Sequence, residues 1–175
     1  MPDAPPVHIK LDTGMHRLGF MQSELPELLA VLRGQRALKV ASILSHMVAS
    51  EDAAQDEFTR EQIASFTRMA TAIGEVLGYK PLWHMANSAG IARWPQAHFD
   101  MVRVGIGLHG IGASAAETKQ LMHTVSLRTP IAQLKQLHNG DTVGYNRRGV
   151  VTGPRTIATL PIGYADGFSR RLGNG

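Results

Sequence analysis

From Val7 to Gly110, short apolar runs alternate with longer helical stripes, and this alternation most limits the folds open to the chain. Val7, Ile9 and Leu11 alternate with His8, Lys10 and Asp12, a period of two that predicts a strand closed by Asp12-Thr13-Gly14. A helix is expected next, with Ser23 as its N-cap, Pro26 in its first turn, an apolar stripe of Leu25, Leu28, Leu29 and Leu32, and Gly34 as its stop. Residues 38–44 predict a second strand, ending at Ser45-His46. A long helix after Ser50 carries Ile63, Phe66, Ala70, Ile73 and Leu77 on one side, with Gly78 placed as a C-terminal glycine. Residues 82–86 and 101–104 predict a third and a fourth strand. Strands separated by helices argue for parallel β/α units rather than a meander.

The polar residues fall at one end of these units. Asp12, His46, Asn87, Ser88 and Arg103 all lie at or near the C-terminal end of a predicted strand, the face on which βα barrels and open α/β sheets build their sites. The stretch 86–110, ANSAGIARWPQAHFDMVRVGIGLHG, gathers most of this chemistry. Glycines after a strand let backbone N–H groups approach an anion, and the Ser88 hydroxyl can join Gly105 and Ile106 there, with the Arg103 cation close by. The same residues also fit a buried strand with a paired arginine and glycines that only turn the chain.

Beyond Gly112 the pattern changes. Residues 113–117 form a small-residue linker, Val125, Leu127, Thr129 and Ile131 alternate, Asn139-Gly140 signals a two-residue hairpin, and residues 156–160 read as a strand. The fold expected is α/β: a partial (β/α) barrel with parallel strands over residues 1–117, then the start of a β-rich C-terminal domain over 118–175.

Composition narrows the function classes. No apolar run approaches the ~20 residues of a bilayer helix, and MPDAPPVHIK has no basic region followed by an apolar stretch. The cytoplasm is therefore the expected compartment, with no membrane partner. The chain has no cysteine, which removes disulfides and thiolate metal sites, and no metal is expected. A net charge of +4 comes from dispersed arginines, the densest pairs being Arg147-Arg148 and Arg170-Arg171, without an aromatic RNA-binding signature, so no nucleic acid is expected.

Four motifs, in order, carry a family resemblance: Lys10-Leu11-Asp12-Thr13-Gly14-Met15-His16-Arg17; Asn87-Ser88 followed by Arg103-Val104-Gly105-Ile106; Asp141-Thr142-Val143-Gly144-Tyr145; and Leu160-Pro161-Ile162-Gly163-Tyr164-Ala165-Asp166-Gly167. Together they resemble the alanine racemases, pyridoxal 5'-phosphate enzymes with an α/β-barrel domain followed by a β domain. The resemblance implies that Ser88, Gly105 and Ile106, beside Asn87, hold the cofactor phosphate and that Arg103 faces the pyridine nitrogen. It implies that His46 hydrogen-bonds both Arg103 and the catalytic Tyr145, which exchanges a proton with one face of the substrate α-carbon. Arg17 is implied to bind the alanine carboxylate, Tyr164 to line the substrate entry, and Lys10 to be a carbamate site in some members. A guanidinium suits a carboxylate because its planar fork binds both oxygens. A phenol with an unperturbed pKa near ~10 needs neighbouring cations or a histidine to act as a base at neutral pH.

The implied reaction is two-base racemisation of L- and D-alanine, supplying D-alanine for peptidoglycan, in a homodimer whose pockets are shared between subunits. The phrases LDTGMHRLGF, NSAGIAR and VGYNRRG also resemble the racemase module fused behind a peptidoglycan ligase. Three departures stand out. His109 replaces a frequent tyrosine, Gly144 replaces a usual serine, and none of Lys10, Lys39, Lys80, Lys119 and Lys135 lies in the family's strand motif for the Schiff-base lysine. The chain is thus expected to be an internal portion of such an enzyme, inactive alone. The rival readings are a racemase of another small amino acid such as serine, and a non-catalytic fragment or pyridoxal-phosphate-binding module.

Overall fold

The computed structural model describes residues 5–35 and 37–173, so the outermost residues of both expected domains, 1–4 and 174–175, lie outside the described residues. The chain divides into two compact units, Met1–Val125 and Ser126–Gly175.

In the first unit, β1 (Val7–Lys10), β2 (Val40–Leu44) and β3 (Leu82–His84) form a parallel sheet in the order β1-β2-β3. They are joined by α1 (Leu25–Gly34) and α2 (Asp56–Leu77). Parallel neighbours need a crossover, and the two helices supply it. The register pairs Ile9 with Ile43 and Ile43 with Trp83, and puts His8 opposite Ser42 and Leu44 opposite His84. Because side chains alternate across a strand, one face carries Ile9, Ile43 and Trp83, and the other carries His8, Lys10, Ser42, Leu44 and His84.

The apolar face packs with the helices. Phe66, Met69, Ala70 and Ile73 of α2 are buried at helical spacing, with Leu28 and Leu32 of α1, while the expected stripe members Ile63 and Leu77 are only partly buried. Phe66, Trp83 and Phe99 meet with ring centroids 5.2 to 6.0 Å apart, edge and tilted contacts each worth about 0.5–1.5 kcal/mol beyond area burial. Gly78 ends α2 in the left-handed region at φ 75°, as its position predicts.

Several boundaries differ from expectation. Ser23 is not the N-cap of α1. It lies inside a 3-10 turn, Gln22–Glu24, whose start is closed by the Met21 N–H donating to Glu24 Oε2 at 2.8 Å. Residues 101–104 form no strand: the Asp100 and Arg103 N–H groups donate to Trp83 O and Ala86 O, each at 3.1 Å, but two isolated bonds do not make a ladder. The expected linker at 113–117 contains a short helix, α4 (Ala115–Thr118), after α3 (Ser88–Arg93), and Ser114 caps α4 by accepting from the Glu117 N–H. No helix among the described residues is long and apolar enough to cross a membrane.

In the second unit, β4 (Gln133–Leu137) pairs antiparallel with β7 (Arg155–Thr159), and β5 (Thr142–Val143) pairs antiparallel with β6 (Gly149–Val150). Among the described residues the alternating stretch 125–131 pairs with no strand. Asn139-Gly140 does turn the chain, with Gly140 at φ 91°, but it does not join paired neighbours. Asn139 Oδ1 accepts from the Gly153 N–H and Gly140 N–H donates to Val151 O, so the turn is tied to the chain after β6 and β4 is left to β7.

Candidate functional site

Arg103 is the hub of the polar face. Its Nη1 donates to His84 Nδ1 at 2.5 Å and to His84 O at 3.3 Å. Its Nη2 donates to Ser45 O at 2.7 Å and His46 Nδ1 at 3.1 Å, with Met85 O at 3.5 Å. Every partner is neutral: among the described residues no carboxylate forms an ion pair with Arg103 and no group accepts from its Nε–H. A half-buried cation held only by carbonyls and imidazoles is costly unless something else meets it. Burial pushes the Arg103 guanidinium below its ordinary value, yet a guanidinium remains protonated at neutral pH and can only donate.

That fact fixes both histidines. Nδ1 of His46 and Nδ1 of His84 must each be bare to accept from Arg103, so each ring is neutral with its proton on Nε2. Burial first, then the Arg103 charge and His8, bring His84 down to about 4. Burial, then Arg103, Lys10 and Arg17, also lower His46. Lys10 and Arg17 thus act on His46 through space, without a hydrogen bond to it.

Beside this hub, the Gly105 and Gly107 N–H groups donate to Ser88 Oγ at 2.9 and 3.1 Å. The approach is close: a Cβ on Gly107 would lie 3.3 Å from that oxygen. Ile106 N–H opens the following 3-10 turn, Ile106–His109, without a partner among the described residues. His46, Asn87, Ser88, Arg103, Gly105 and Ile106 all line one cavity of about 580 Å³. Six of the residues singled out in the sequence therefore converge. Glu51 is the one acidic group on its wall, and it is exposed, so its charge is screened.

Asn87 serves the frame. Its Oδ1 accepts from the Gly90 N–H at 2.9 Å and from Ser50 Oγ at 2.8 Å, and its Nδ2 donates to Met47 O at 3.3 Å. It caps α3 and so sets where Ser88 stands. Gly90 lets α3 approach the loop after β2, since a Cβ there would fall 2.5 Å from Met47 Sδ.

The loop after β1 is organised by Asp12, whose Oδ1 accepts the N–H groups of Gly14, Met15 and His16, each at 3.0 Å. Burial raises the Asp12 carboxyl, but the Gly14 and His16 N–H groups, the His16 ring and the Met15 N–H outweigh it, leaving the group below the usual carboxylate range. The loop turns tightly, with Gly14, His16 and Gly19 at φ 134°, 52° and 113°. It closes where Phe20 N–H donates to Lys10 O at 2.9 Å and Asp12 N–H to Phe20 O at 2.8 Å. Arg17 is exposed on it, and Lys10 is half-buried at the end of β1.

In the second unit, Tyr145 opens the 3-10 turn Tyr145–Arg147 that joins β5 to β6, and it is 92% exposed. The preceding Gly144 has φ 79° and ψ −177°, a backbone region essentially reserved for glycine that costs a residue with a Cβ on the order of 1–3 kcal/mol, which gives the glycine at this position a local reason. Tyr164 begins another 3-10 turn, Tyr164–Asp166, with the Arg170 guanidinium 5.7 Å from its ring centroid.

Sequence reasoning missed His84, Ser42 and Ser45. A signal was present: a histidine inside the apolar run LWHMA lies on the same alternate face as His8 across the sheet.

Two family models match the chain, "Alanine racemase, N-terminal domain" over residues 2–113 and "Alanine racemase, C-terminal domain" over residues 124–175. An alanine racemase of Syntrophobacter fumaroxidans is 39% identical over 170 residues, which cover 96% of this chain and 45% of that protein. One of Carboxydothermus hydrogenoformans is 37% identical, covering 95% and 46%. Among solved structures, alanine racemase from D-cycloserine-producing Streptomyces lavendulae is similar at TM-score 0.84 and 28% identity, over 94% of this chain and 45% of that one. That from Bartonella henselae, with covalently bound pyridoxal phosphate, is similar at TM-score 0.78 and 32% identity, over 95% and 45%. The chain spans a little under half the length of these relatives.

Proposed function

Since this chain belongs to the alanine racemase family, we propose that it supplies much of the cofactor site of a pyridoxal-phosphate-dependent enzyme that interconverts L- and D-alanine. The observation that carries this reading is the pairing of an anion cradle with a cation that has no carboxylate partner, in one cavity. The Ser88 O–H and the Ile106 N–H suit a phosphate, and the Gly105 N–H joins them by turning from Ser88 Oγ to the anion, because convergent donors satisfy anion oxygens without a bulky side chain. The free Nε–H of Arg103 suits the unprotonated pyridine nitrogen, which accepts one hydrogen bond. Pyridoxal phosphate, when bound, supplies an electron sink that acidifies the proton on the substrate α-carbon.

The residues of the chain supply part of the rest, while the base at the opposite face of the α-carbon is the family's Schiff-base lysine, which none of the five lysines of this chain matches. Arg103 donates and never accepts, so it keeps the ring nitrogen bare and restrains how much charge that ring takes up. His46, neutral with its Nε2–H free, is suited to donate to a phenol oxygen and so to favour the phenolate that the role of Tyr145 requires. Tyr145 moves the proton at one face of the α-carbon, as acid in one direction and base in the other. Arg17 holds the substrate carboxylate, with Lys10 beside it as a carbamate site, and Tyr164 lines the entry. The D-alanine serves peptidoglycan in the cytoplasm, and the enzyme is a homodimer that shares its pockets.

The full-length protein, loaded with pyridoxal phosphate, should convert either enantiomer of alanine to an equal mixture. Cofactor retention without any turnover of alanine would remove this reading, and faster turnover of serine than alanine would replace the substrate.

A further inference from the structure

Behind Arg103 the polar face of the sheet carries a continuous chain of hydrogen-bonding groups. Ser42 Oγ lies 3.1 Å from His84 Nε2 and 2.6 Å from His8 Nδ1, so the series Arg103, His84, Ser42, His8 crosses all three strands. Ser42 and His84 are both buried, at 2% and 5% exposure, where an unmet donor is expensive.

The first two links have only one allowed direction, whereas a serine oxygen can accept twice, so the third runs toward His8 only when His8 Nδ1 is bare. Arg103 must donate, so His84 Nδ1 accepts and its single proton sits on Nε2. That Nε2–H must donate to Ser42 Oγ. The Ser42 hydroxyl proton then has His8 Nδ1 as its acceptor, which requires Nδ1 of His8 to be bare as well. We propose that Ser42 and His8 are positioning residues for Arg103: they complete a one-way chain, Arg103 to His84 to Ser42 to His8, which keeps the guanidinium in register with the cavity. Removing the serine hydroxyl leaves the His84 Nε2–H unmet, so the imidazole loses the restraint that aims Nδ1 at Arg103.

This deepens the proposed function, because Arg103 is the group assigned to the pyridine nitrogen. The measurement, however, needs neither cofactor nor substrate. In full-length protein labelled with nitrogen-15 at histidine and arginine, the ring nitrogens of His84 and His8 should both report protonated Nε2 and bare Nδ1 at neutral pH. A proton on Nδ1 of either ring overturns the chain. In Ser42→Ala the Arg103 guanidinium protons should exchange with solvent about fivefold faster, the factor equivalent to one ordinary hydrogen bond, and Ser42→Thr, which keeps the hydroxyl, should restore the slow rate. Unchanged exchange in Ser42→Ala, with Trp83 and Trp94 fluorescence showing an intact fold, overturns the positioning role. The expected nitrogen signals in a protein without racemase activity would keep the chain and remove the function. Racemase activity with the wrong tautomers would do the reverse.

Discussion

Protonating His84 should loosen the first unit as the pH falls, by an amount set by its surroundings. In the folded protein His84 titrates near 4, through burial, the Arg103 charge and His8; in the unfolded chain it should titrate near ~6.5. The folded state therefore binds fewer protons than the unfolded state between these values, and stability must fall as pH falls through that window. A gap of about 2.5 pKa units at 1.36 kcal/mol each gives a loss of roughly 3 kcal/mol between pH 7 and 4. The ring is 5% exposed, so solvent screening takes little from this figure. Other groups titrate in the same range, among them His46, so the contribution is isolated by comparing the protein with His84→Gln, which cannot gain the charge. Both tryptophans of the chain, Trp83 and Trp94, lie in the first unit, so urea unfolding followed by their fluorescence reports that unit. The variant should be less stable at pH 7, where its amide replaces a well-placed imidazole, and its stability should decline less steeply toward pH 4 by about 3 kcal/mol. Parallel declines in the two proteins would show that His84 carries no such burden, and the neutral tautomer assigned to it would fall.

Three more outcomes follow from the site. Tyr145→Phe in the full-length enzyme keeps the ring but removes the transferable proton, and turnover should drop by a factor on the order of 10² to 10⁴; near-normal rates in both directions would clear Tyr145 of the role. Ser88→Ala takes one hydroxyl from the phosphate cradle, a hydrogen bond to a charged group worth about 1.5–3 kcal/mol, so equilibrium dialysis should find pyridoxal phosphate bound roughly ten- to a hundred-fold more weakly, and equal retention would count against the cradle. The 175-residue chain by itself, which spans 45% of the Syntrophobacter fumaroxidans alanine racemase it matches, should show no alanine racemisation in a coupled D-alanine assay with added cofactor, and clear turnover would contradict that.

Much of this was legible in the sequence because it depends on neighbours along the chain. The alternation from Val7 to Asp12 marked β1, the spacing of Phe66, Ala70 and Ile73 marked the buried side of α2, and Gly78 marked its end. Asn87, Ser88, Arg103 and His46 stood out as polar residues at the ends of expected strands, with Gly105 and Ile106 just after one of them, and one cavity gathers all six. Tertiary structure decided what depends on distant partners. Residues 101–104 have strand-like composition, but among the described residues they make one backbone bond to the β3 region, from Arg103, beside one from Asp100. Asn139-Gly140 has hairpin chemistry, yet β4 finds its partner in β7, because the Asn139 side chain and Gly140 N–H are tied to residues after β6. His84 is one polar residue in an apolar run, and nothing along the chain announces the place between Arg103 and Ser42 that the parallel register gives it. Periodicity and capping act over a few residues and are written locally, whereas a ladder partner, the direction of a hydrogen bond or a lowered pKa arises between residues tens of positions apart, and exists only once the chain has closed on itself.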